Sequence, residues 1–115
     1  MEARPMKLLT KAIEAKLRKT PLYSTEKQDV SPVIVKFFTP SSSWTWYVLE
    51  GEQDTEGVWS FFGLVDGHEK ELGYFSLPEL EEIRGSFNLG VERDRYFDGM
   101  VIDKRTNEVR KAVQS

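Results

Sequence analysis

Between residues 33 and 76 the chain makes four runs of β-branched and aromatic residues, joined by connectors too short to hold a helix. The runs are "VIVKFF" (33–38), "WTWYVLE" (44–50), "VWSFFGLV" (58–65) and "ELGYFS" (71–76). Pro40 ends the first, a Ser-rich turn leads into the second, "GEQDTEG" precedes the third, and Asp66-Gly67 is the turn signal before the fourth. Consecutive strands joined by tight turns pair antiparallel. This predicts an α+β fold, a four-stranded antiparallel meander with an N-terminal helix and a short helix after the fourth strand.

The helices are marked by different signals. In "LLTKAIEAKLRK" (8–19) Leu9, Ile13 and Leu17 recur every four residues on one face, Thr10 is a candidate cap, and Pro21 stops the helix. In "FSLPELEEIRG", Ser76 at the cap and Glu79 three residues later form a capping-box pattern, with Phe75 and Leu80 placed for a hydrophobic staple. Pro78 sits in the first turn, and Gly85 ends a helix predicted over 77–84. "GVERDRYFDGMVID" is expected to hold one or two short extended pieces, and "KRTNEVRKAVQS" a loose tail.

Period-two alternation puts Trp44, Trp46 and Val48 on one face of the second strand, and Thr45, Tyr47 and Leu49 on the other. Trp59, Phe61 and Val65 likewise oppose Val58, Phe62 and Leu64. Both faces are therefore apolar, and two short helices can cover only one of them. The second face is left to close on itself, to be covered by residues 86–103, or to stay open as a groove or partner surface.

Composition limits the chemistry. There is no Cys, which removes disulfides, thiolate metal sites and cysteine nucleophiles and fits a cytoplasmic protein. The basic start lacks an apolar signal-peptide core, and no run is long enough to span a membrane, so no membrane association is expected. The net charge of −3 is uneven: residues 50–82 hold ten Asp/Glu against Lys70 alone. Such a block repels phosphates and suits a basic partner, which argues against nucleic acid.

The stretches "KFFTP", "WTWY", "FFGLVDGHEKELGYFSL", "LEEIRG" and "VERDRYF" together resemble a small bacterial family known as a domain of unknown function. Its members are encoded on plasmids, integrative elements and phages, often near anti-restriction genes. The resemblance covers about residues 7–97 and implies a mobile-element protein without implying an activity. Residues 7–97 are read as one α+β domain, 1–6 as an N-terminal extension, and 98–115 as a C-terminal tail, partly extended or disordered.

Candidate residues fall into two groups. Trp44, Trp46, Tyr47 and Trp59, with the acidic loop residues Glu52, Asp54 and Glu56, are candidates for binding a partner, because rigid aromatics dominate binding hot spots. His68, Arg84, Glu92, Arg93 and Asp94 are candidates for a polar pocket. Asp66, His68 and Glu69 lie close in sequence, but His68 is the only histidine, so neither a metal site nor a cofactor is expected. No Walker loop or nucleophile elbow is present. The leading expectation is a non-enzymatic protein-binding module of a mobile element, in its specific form an inhibitor of a host defence system, with a protein partner or a second copy as its target. The alternative is a ligand-binding protein or enzyme with a pocket between sheet and helix.

Overall fold

A computed structural model describes residues 7–97 and 99–112. The expected extension 1–6 lies outside the described residues. Helix α1 spans Lys11–Arg18, with Thr10 Oγ1 accepting from the Ile13 amide at 3.2 Å. The helix thus begins later than Leu8, because Thr10 takes the cap. Leu8 and Leu9 are buried ahead of it, and Leu17 is buried within it.

Strands β1 (Val30–Pro32), β2 (Val35–Phe38), β3 (Thr45–Gln53), β4 (Trp59–Asp66) and β5 (Lys70–Ser76) follow, then helix α2 (Leu77–Glu82). Ser76 Oγ caps α2 by accepting from the Glu79 amide at 3.3 Å. Three further strands complete the chain: β6 (Glu92–Arg93), β7 (Met100–Asp103) and β8 (Glu108–Lys111). One sheet has the order β5-β4-β3-β2-β6, and its β2–β5 portion is the antiparallel meander read from sequence. A second, three-stranded sheet has the order β1-β7-β8. Among the described residues, no helix is long and apolar enough to cross a membrane.

The large sheet lies between two cores. On one face α1 and α2 bring Leu17 and Leu80 onto Val35, Phe37, Trp46, Val48 and Phe61. On the other, Tyr47, Leu49 and Leu64 pack with Val33 and Ile102, flanked by Met100 and Val109. The face that the helices cannot reach is thus covered by the chain itself, through the small sheet. A register shift between Val48 and Glu50 marks a bulge in β3. Beside it, a Cβ on Gly63 would stand 1.9 Å from the Tyr47 carbonyl oxygen, so β4 needs glycine there.

Two expectations change. The polar segment 104–112 is not a loose tail: Glu108–Lys111 pairs with β7, and only Val109 within it is partly sheltered. A covering strand with water on its outer side needs few apolar residues, so its sequence reads as polar. The connector before residue 33 likewise contains β1, paired with β7 from Val30 to Pro32.

Candidate functional site

The turn between β2 and β3 is built by hydroxyls. Thr39 and Ser42 share a hydrogen bond through their side-chain oxygens, and the Trp44 amide donates to Ser42 Oγ at 3.2 Å. The turn presents Trp44 beside Trp46, with ring centroids 6.0 Å apart and planes 30° from parallel. Gly67 lies directly against the Trp44 ring, where any Cβ would come within 2.3 Å of it. His68 meets the same ring edge-on at 5.5 Å.

Opposite this wall, α2 ends at Ile83 and Arg84. Arg84 Nη1 donates to the carbonyls of Glu81 and Ile83, both at 2.7 Å, which fixes the guanidinium over the helix end. The space between the two walls is a groove of about 420 Å³, within the size range of small-ligand pockets. Trp46, only 5% exposed, forms its floor, Trp44 and Ile83 its apolar sides, and Thr39, Ser41 and Arg84 its polar margin. Ser41 Oγ is buried there with no hydrogen-bond partner among the described residues. Arg84 is the groove's ionisable lining residue, and it makes no ion pair among the described residues.

The sequence candidates separate on this geometry. Trp44, Trp46 and Arg84 come together at the groove, with His68 behind Trp44. Trp59 is 3% exposed at the far end of the sheet, stacked on Phe61 and covered by the Arg18 guanidinium at 5.6 Å. Tyr47 is buried on the opposite face under the Lys36 ammonium, 5.7 Å away. Burial, then the Asp66 and Asp94 charges, pushes the Tyr47 phenol above its usual range. In this fold neither Trp59 nor Tyr47 offers its ring to a partner, because both belong to cores.

The polar candidates do not converge. Arg93 Nη1 donates to the Lys7 and Leu8 carbonyls and ties the N-terminal segment to the sheet edge. Asp94 pairs with Lys36 at 3.4 Å, and Glu92 lies opposite Phe38. Glu52, Asp54 and Glu56 are exposed in and beside the β3–β4 loop, where Asp54 Oδ1 accepts from the amides of Glu56 and Val58 and so holds the turn.

One polar cluster escaped the sequence reading. Glu50, 2% exposed, accepts from the Tyr23 amide at 2.7 Å, the Thr25 amide at 2.9 Å and the Thr25 hydroxyl. Lys104 Nζ reaches the Thr25 carbonyl at 2.6 Å and its hydroxyl at 2.8 Å. Burial holds the Lys104 ammonium below its usual range, with Glu50 and Asp29 opposing that shift. The available signal was an acid inside an apolar strand, in "YVLEGE". Every oxygen of this cluster is used in joining loop to sheet, so its geometry is that of a clasp. Compared with known proteins, residues 8–105 match the family described as "Protein of unknown function (DUF2958)". No curated protein and no solved structure matches the chain.

Proposed function

For a chain that belongs to DUF2958, a family whose description assigns no activity, we propose a non-enzymatic protein-binding role in which the Trp44–Trp46 groove seats a large apolar side chain of the partner. One observation carries this reading: both sheet faces are covered, yet this indole-lined groove stays open. Binding is favoured over acid–base chemistry because Arg84, the ionisable group among the described lining residues, is fixed as a hydrogen-bond donor to the Glu81 and Ile83 carbonyls. The more specific form of the proposal is an inhibitor of a host defence system carried on a mobile element. It rests on the family resemblance and on the acidic loop, which suits a basic partner surface.

The test is a titration of short peptides with a central Phe or Leu, read by tryptophan fluorescence. Saturable binding is expected, with Trp44→Ala weakening it at least tenfold while the thermal melt stays cooperative. Absence of a fluorescence response to every such peptide defeats the reading. A small ligand is the second reading, favoured by the unpartnered Ser41 Oγ beside Arg84. A planar aromatic carboxylate would meet both groups, and the same titration with benzoate distinguishes it from the peptides.

A further inference from the structure

Next to the groove the chain makes a closed loop. Arg84 and Gly90 form a β-bridge, the Gly85 amide donates to the Leu89 carbonyl at 2.8 Å, and the Asn88 amide donates to the Gly85 carbonyl at 3.1 Å. The tip carries Phe87, which is 94% exposed, with Leu89 at 40%. Phe87 has φ 59° and Asn88 φ 58°. Asparagine tolerates this left-handed region, whereas an aromatic residue rarely adopts it. The loop therefore holds a phenyl ring in water, on a strained backbone, a few residues from an apolar hole of matching chemistry.

Charge repeats the pattern. Glu81 and Glu82 are exposed at the end of α2 where the macrodipole favours cations, and α2 has no basic residue in its last turn. Among the described residues neither acid has an ion-pair partner, and nor does Arg84. Knob and hole, acid and base, thus fall within one short stretch of chain, from Glu81 to Leu89, that also supplies Ile83, Arg84 and Gly85 to the groove. A two-fold axis brings each element of such a stretch to its complement on a second copy.

We infer that the groove's occupant is Phe87 of a second copy of this chain, in a two-fold dimer where Arg84 of each protomer meets Glu81 and Glu82 of the other. This inference rests on the reading of the groove as a seat for an apolar side chain. It accounts for the exposed ring, the open groove and the unpaired charges together. A dimer built this way is reversible, since one ring and one charge cluster per side make a small contact.

Sedimentation velocity over a concentration series tests it, on the full chain. The wild type is expected to show a monomer–dimer equilibrium, and Phe87→Ser to weaken it by at least about 30-fold, the loss typical of a hot-spot residue. The exposure of Phe87 leaves folding out of that comparison. Arg84→Glu and the pair Glu81→Arg/Glu82→Arg should each block self-association, yet dimerise with each other when mixed. A wild type that stays monomeric up to about 1 mM, where only contacts weaker than that go undetected, overturns the inference, as does a dimer indifferent to Phe87→Ser. Failure of the two charge variants to associate on mixing also overturns the two-fold arrangement. Should the chain remain monomeric while its tryptophan fluorescence still answers a Phe peptide, the dimer falls and the groove reading stands. If it answers neither, both fall.

Discussion

Glu50 shows how a single side chain sets a requirement on the fold. Its carboxylate takes three donors from Tyr23 and Thr25, and Lys104 completes the cluster from the C-terminal half. Glu50→Ala leaves those buried donors without an acceptor and should cost roughly 3–5 kcal/mol, as breaking a buried charged network does. Glu50→Gln keeps one acceptor and should cost less; urea unfolding midpoints rank the two. Strict alternation would place Glu50 with Trp46 and Val48. The bulge after Val48 turns it toward Phe62 instead, and bulges have no simple residue signature, so the clasp was not legible. Asp103 behaves differently. The Arg105 guanidinium, bonded to it at 2.9 and 3.0 Å, holds its carboxyl below the usual range. The unfolded chain binds that proton first as pH falls, so the pair's stabilisation is full above the unfolded carboxyl value and lost as pH drops through the folded one. Asp103→Asn should therefore destabilise at neutral pH and converge with the wild type as pH falls below the ordinary carboxylate range and through the lowered folded-state value, as measured by urea unfolding at each pH.

At the scale of elements, the small sheet has a covering role. Ile102, fully buried, reaches across from β7 onto Leu49 and Leu64. Ile102→Ala should cost about 2–5 kcal/mol, the range for large-to-small changes in a packed core. It should also raise binding of an apolar dye to the second face while leaving the α1 side intact; amide exchange on β3 and β4 reports which face loosens. The helices and meander were legible because their signals are local: Thr10 and Ser76 cap, Leu9 and Leu17 mark one stripe, and Asp66-Gly67 turns the chain. Strand β8 was not, because "EVRK" has water on one side and a single inward residue, and its pairing is decided by β7. The groove was half legible. Trp44 and Trp46 announced themselves as neighbours on one face, and Arg84 as a polar candidate at the end of the helix expected over 77–84. Their meeting, and the part played by Thr39, Ser41 and Ile83, depends on where α2 ends over the sheet, a tertiary fact with no sequence period.

For the whole molecule, the apolar surplus and the acidic surplus are spent in different places. The groove sits at the start of β3 and the acidic loop at its end, so at the rise of a strand roughly 25 Å separates them. Residues this far apart act independently on binding, and physics assigns them different roles. If the groove and the loop bind a partner as proposed, the indole-lined seat would govern how long it stays and the exposed acidic loop how fast a basic partner arrives. Glu52 and Glu56 are exposed and unpaired among the described residues, while Asp54 holds the turn and is left in place. Changing both glutamates to lysine reverses the loop's charge and should alter stability by no more than about 0.5 kcal/mol, as surface substitutions do. Measured by surface plasmon resonance against a captured partner at two salt concentrations, the double variant should slow association and lose its salt dependence, with dissociation unchanged. Trp44→Ala should do the converse, speeding dissociation at either salt concentration. If the charge variant instead changes dissociation alone, the acidic loop lies inside the contact, and the contact must span the length of β3 rather than the groove.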